Sequence, residues 1–219
     1  MTLKLAAIAL LGLTAAVGLP ACTNPRDAAV DPSAETTQMD HGGMGMMDGG
    51  GMMDLGPADE SFDLRFIDGM IMHHQGAVVM AEDAQQNSSR PEIQTLASDI
   101  IAAQETEIAE MQAWRQAWYP DAPAEPVMYH AEVGHMMPMS AEMQSAMMMN
   151  MDLEAAGDEY DLRFINAMIP HHEGALTMAQ EALAKSSRPE TQELAEAIIA
   201  SQQVEIDQMT QWRQGWYGR

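Results

Sequence analysis

The sequence predicts an all-α protein: a four-helix bundle built from two duplicated helical hairpins, with room for an extra Met-rich helix between them. Three observations carry this. Residues 62–119 align with 160–217 at a constant offset of 98, without a gap and roughly 60% identical. Each copy holds two apolar stripes at helical spacing, separated by a turn. Neither hairpin can bury both stripes alone, whereas two packed together can.

Taken in chain order, residues 1–21 read as an export signal of the lipoprotein type: Lys4, an apolar run from Leu5 to about Leu19, then "LPAC". A run of about fifteen residues is short for a membrane-spanning helix, which needs about twenty. The "LPAC" ending resembles a bacterial lipobox, so Cys22, the single cysteine, is expected to be lipidated. That places the protein outside the cytoplasm, in the periplasm or at the cell surface, anchored to a bacterial membrane. Residues 22–58 are a Gly/Met-rich tether without helical or strand period.

Residues 59–120 form the first hairpin repeat. Its first helix shows the helical period at Phe66, Met70, His73, Ala77, Met80 and Ala84. Ser89-Arg90-Pro91-Glu92 fits a capping box with Ser89 as N-cap, so a second helix starts there and runs through Leu96, Ile100, Met111, Trp114 and Trp118. Residues 121–158 connect the repeats, first as a Pro-rich linker; from Ser140 to Ala156 helix formers predominate, and Gly157 is placed to stop that helix. Residues 159–219 repeat the hairpin, with Ser187 in the N-cap role.

Thirty-three acidic against ten basic residues give a net charge of −23, which repels nucleic acid and attracts cations. Methionine supplies 23 residues while all aromatics make only 5%. Some of these methionines occupy helix faces, but Met39, Met44, Met46, Met47, Met52 and Met53 lie on a glycine-rich chain beside His41, where there is no core to fill. The crowding recurs at Met128, His130, His135, Met136, Met137, Met139, Met143, Met147, Met148, Met149 and Met151. Thioethers are soft, neutral ligands that favour Cu(I) or Ag(I), and imidazole adds affinity for Cu(II). In an exported compartment they serve where thiolates would oxidise. Copper ions are therefore the expected partner and cargo.

The hairpins suggest where copper binds. Met70, His73 and Met80 share one face of the first helix, and Met168, His171 and Met178 match them. His74 and His172 lie about 100° further round. On the second helices Gln104, Glu107 and Met111, and Gln202, Glu205 and Met209, interrupt the apolar stripe. Glu107 is expected to meet His73 or His74 across the hairpin, and Glu205 to meet His171 or His172. Asp68 is Asn166 in the second copy and is not counted as a ligand. One Glu-x-x-His, Glu132 to His135, is too little for a carboxylate di-iron centre. The four Trp residues read as packing.

"FIDGMIMHHQGAVVMAE" and "LASDIIAAQETEIAEMQAW", with their second copies "FINAMIPHHEGALTMAQ" and "LAEAIIASQQVEIDQMTQW", resemble the domain-of-unknown-function 305 family. The resemblance implies a ferritin-like helical bundle, and some exported Met-rich members are associated with copper binding and tolerance. Its motif falls on His73, His74, Gln104, Glu107 and Met111, and on His171, His172, Gln202, Glu205 and Met209. The motif's proline is Pro170 in the second copy, where it frees the Asn166 carbonyl and bends the axis, but Met72 in the first.

The resulting expectation is a copper protein that buffers, sequesters or hands over its cargo in copper tolerance or homeostasis, more a carrier than an enzyme. Its partners are a copper-transport or efflux protein of the envelope, and pairing of repeats within or between chains is left open. Two other readings stand beside it: a ferritin-like metal-dependent oxidoreductase, and a metal-free envelope interaction module.

Overall fold

The computed structural model describes residues 54–219 apart from positions 155 and 158. The expected export signal, Cys22, His41, Met44, Met46 and Met47 lie outside the described residues. The elements run α1 (Phe62–Asn87), α2 (Pro91–Trp118), β1 (Val127–His130), β2 (His135–Pro138), α3 (Ala141–Met148), α4 (Tyr160–Lys185) and α5 (Pro189–Tyr217). The fold is an all-α helical bundle with one small two-stranded sheet.

Helices α2 and α5 begin where the sequence puts them, with Pro91 and Pro189 in the first turn, but the capping boxes do not form. The N-caps are Arg90 and Arg188, without a side-chain cap. The working hydroxyls sit one residue earlier than expected. Ser88 Oγ accepts from the Arg90 amide and donates to Asp161 (2.5 Å); Ser186 Oγ accepts from the Arg188 amide and donates to Asp63 (2.5 Å). Tertiary partners have taken over the serines, joining each turn to the other hairpin.

That exchange is one of several reciprocal contacts. α1 packs on α2, α4 on α5, and α1 on α4. One buried cluster joins the first half of α1 (Phe62, Phe66, Met70) to the second half of α4 (Ala175, Met178, Ala182) and to Ile198 of α5. The other joins Met80 and Ala84 of α1 to Phe164 and Met168 of α4 and to Ile100 of α2. The two central helices therefore run antiparallel, and the repeats are related by a pseudo-two-fold. Each fully buried Phe, Ile or Met contributes about 1.5–3 kcal/mol. At the bundle ends Trp114 stacks on Trp118 and Trp212 on Trp216, with Arg188 4.3 Å over Trp118 and Arg90 4.3 Å over Trp216. The tryptophans thus pack and, through the arginines, bind one hairpin to the other.

The connector breaks the symmetry. Instead of a plain linker it forms an antiparallel hairpin, β1 against β2, that lies on α1. Asp68 explains the choice: it is buried, pairs with Arg115 (2.5 Å) and accepts from the Val127 amide (2.9 Å), so it holds β1 in place. Its counterpart Asn166 is exposed, because nothing comparable covers α4. Met72 likewise packs under the connector, while Pro170 sits on the exposed side of α4, which continues through it to Lys185.

The Met-rich helix exists but is shorter than Ser140–Ala156. Ser140 caps α3 by accepting from the Met143 amide, and Met149, in the left-handed region at φ 47°, ends it. The chain must then return Leu153 to the core, where its carbonyl accepts from Arg163 Nε (2.7 Å), as Leu55 accepts from Arg65 Nε (2.6 Å) in the first repeat. Gly157 does not stop α3; its carbonyl accepts from the Tyr160 amide at the start of α4. The structural repeat thus reaches back to Leu55 and Leu153, ahead of each hairpin.

Candidate metal centre

Helical spacing puts His73 and His171 on the faces by which α1 and α4 meet, and the antiparallel packing brings these equivalent residues together. Their ring centroids are 3.9 Å apart, and both side chains are buried. Residues that face their own repeat-mates must lie on the pseudo-two-fold, so the pair marks the centre of the bundle. The second histidines, also buried, turn from this seam toward the second helix of their own hairpins, as the 100° step requires. His74 Nε2 donates to Glu107 (2.7 Å) and His172 Nε2 to Glu205 (2.5 Å). Each glutamate therefore meets the second histidine of its pair, the alternative that sequence alone left open.

Burial dominates the electrostatics. His73 is held well below the ordinary imidazole pKa, first by desolvation and then by the neighbouring His171, His74 and His172. His171 is lowered to about 3, again by burial first and His172 second, with its bond to the Met148 carbonyl opposing. Both rings are neutral at physiological pH, and a neutral imidazole has a lone pair to offer. The Met148 carbonyl accepts from His171 Nε2 (2.9 Å), which leaves His171 Nδ1 as the bare nitrogen. Neither nitrogen of His73 has a partner among the described residues, and the same holds for Nδ1 of His74, His171 and His172 and for the amide oxygens of Gln104 and Gln202. An orphaned buried polar atom costs about 1–3 kcal/mol. Unpartnered nitrogens on two imidazoles in contact call for a ligand.

The same core is rich in thioethers. Met70, Met111 and Met178 belong to one buried cluster and Met80, Met168 and Met209 to the other; all six are buried, and helical spacing sets Met70 one turn before His73 and Met168 one turn before His171. Among the described residues no three His, Cys, Asp or Glu side chains gather round one point. A metal in this core would thus be held by imidazole with thioether, a donor set for Cu(I) or Ag(I) rather than for a hard cation. Glu107 and Glu205 reach only the outer histidines, where a carboxylate fixes ring orientation and raises the basicity of the opposite nitrogen.

Sequence reasoning missed the role of Met148 and Gly76. The end of α3 lies over the histidine pair, and a β-carbon at Gly76 would collide with the Met148 carbonyl. The available signal was a glycine inside a helix, where it costs about 1 kcal/mol against alanine. No bond among the described residues joins the predicted connector ligands, His130, His135, Met136, Met137 and Met139, to the four histidines. His130 and His135 pair across the β-hairpin, Met136 and Met137 alternate on β2, and Met139 enters the core beside Met128 and Met147.

The family profile described as "Domain of unknown function (DUF305)" matches residues 19–115 and 63–213. Among solved structures the chain is similar to CopM in its Cu(II)-bound form, with 41% identity and a TM-score of 0.57 over 71% of this chain and 97% of that one. CopM is also known in Cu(I)-bound, Ag-bound and apo forms. A DUF305 fragment from Deinococcus radiodurans matches with 29% identity and a TM-score of 0.54, over 71% of this chain and 96% of the fragment. A curated relative, uncharacterized protein L153 of Acanthamoeba polyphaga mimivirus, is 43% identical over 49 residues, 22% of this chain, and the match spans about a third (32%) of that protein's length.

Proposed function

The chain belongs to the DUF305 family, and from that premise we propose that it is an exported copper-binding protein that buffers its cargo and hands it on in copper homeostasis. The observation that carries this reading is His73: a fully buried, neutral imidazole with no partner for either nitrogen among the described residues, set against its own repeat-mate in a methionine-rich core. A structural histidine would have been given hydrogen-bond partners. The bound forms of CopM, with Cu(II), Cu(I) and silver, support the choice of ion.

In this reading His73 and His171 supply nitrogen, and the flanking methionines supply sulfur; Glu107 and Glu205 orient His74 and His172. The run from Leu5 to Leu19 and the "LPAC" ending support export and a lipid anchor on Cys22. The excess of acid supports accumulation of cations at the surface. An envelope copper-transport protein would take the cargo on.

Competition against a Cu(I) chelator tests the proposal. The full chain should take up Cu(I), and His73→Ala with His171→Ala should abolish the tightest site. Unchanged affinity in the double variant overturns it.

A further inference from the structure

The β1–β2 hairpin holds a second constellation that differs in kind from the buried one. Its register sets Met128 opposite Met137, Tyr129 opposite Met136, and His130 opposite His135. Directly opposed residues of an antiparallel pair project to the same face, and faces alternate along each strand. Met128, His130, His135 and Met137 therefore share one face, whereas Met136 points to the other with Tyr129. Cβ atoms of an opposed pair stand about 4.5–5.5 Å apart, and diagonal neighbours about 7–8 Å. Side chains as long as His and Met span such gaps to a common ion, with imidazole nitrogen about 2 Å from it.

Two details of the hairpin suit the histidines to that task. His135 Nδ1 donates to the Val133 carbonyl (3.3 Å), which leaves Nε2 with its lone pair; a backbone carbonyl on the far nitrogen is a common support for a ligating histidine. His130 Nε2 is buried and has no partner among the described residues. Met137 is 38% exposed, an apolar side chain that folding leaves in water on the face it shares with the two histidines. Met128, by contrast, is packed into the core and closes the inner side of the face.

We propose that His130 and His135, with Met137, form a surface site for one soft monovalent ion, Cu(I) or Ag(I), separate from the bundle centre. It rests on the reading of the protein as a copper carrier and adds where exchange takes place. The central histidines are shut in, whereas His135 and Met137 are open to solvent, so the hairpin is the place where an ion can be taken from or passed to another molecule.

Titration of the full chain with Ag(I), followed by imidazole 15N NMR of its histidines, tests this. The Nε2 signals of His130 and His135 should shift, and the His130→Ala/His135→Ala variant should bind one equivalent less Ag(I) while the His73 and His171 signals still respond. Both substitutions fall on a peripheral hairpin, so the bundle stays folded. If His130 and His135 do not move at saturation while His73 and His171 do, the surface site is overturned and the core reading stands. If only the hairpin signals move, the surface site stands and the core reading fails. Silence from all four overturns both.

Discussion

His73 and His171, equivalent residues of the two repeats, bring their imidazole rings to 3.9 Å at the centre of the bundle, yet only His171 has a hydrogen-bond partner among the described residues. The duplication places the pair on an axis, and the single α3 helix breaks the equivalence by lending its Met148 carbonyl to one ring.

His73→Leu removes two orphaned nitrogens from the core. Without metal this should leave the melting temperature unchanged or raise stability by about 1–3 kcal/mol. The stabilisation that copper confers on the native chain, about 2.7 kcal/mol at a free concentration of 100 Kd, should shrink or vanish. Thermal melts with and without chelated Cu(I) read both. A large loss of metal-free stability would instead mark His73 as structural.

Glu107→Ala and Glu205→Ala each strand a buried imidazole N–H. Each should cost about 1–3 kcal/mol, and by similar amounts, because the two pairs have the same geometry (2.7 and 2.5 Å) on opposite sides of the axis. Urea unfolding of the metal-free chain checks this; the two losses should also add.

Gly76→Ala forces the Met148 carbonyl away and takes His171's partner with it. The expected cost is about 1–3 kcal/mol, with α3 losing amide protection in hydrogen exchange before α1 does.

The metal-free protein should lose stability in acid. Folded-state pKa values of His73 and His171 are depressed, so below about pH 6.5 the unfolded chain binds protons that the folded chain refuses. Stability is full above the unfolded value, then falls with pH down to about 3 for His171. The slope is at most about 1.4 kcal/mol per pH unit per imidazole. Denaturant midpoints between pH 7 and 4 should show this, and the His73→Leu variant should show a shallower fall.

Legibility followed the range of the forces involved. Pro91 and Pro189 announced the second helix of each hairpin because proline at a first turn is a local preference. Ser89 and Ser187 do not cap; the hydroxyls the turns use are those of Ser88 and Ser186, which bond Asp161 and Asp63 of the opposite hairpin, partners more than seventy residues away that no local pattern shows. Asp68, not counted as a ligand because the second copy has Asn166, has a structural task that no repeat comparison shows: the strand laid over α1 makes it a buried ion-pair partner. The short strands escaped notice because four-residue Met- and His-rich runs show neither helical nor alternating apolar period.

By itself the sequence determined the duplicated hairpins, the helical faces and the kinds of donor atom, since spacing along one chain sets which side chains share a face. Tertiary structure decided the partners: His73 with His171, His74 with Glu107, His130 with His135. A helix turns 100° per residue and so fixes the direction of each side chain about its own axis, but what stands in that direction depends on packing between distant segments.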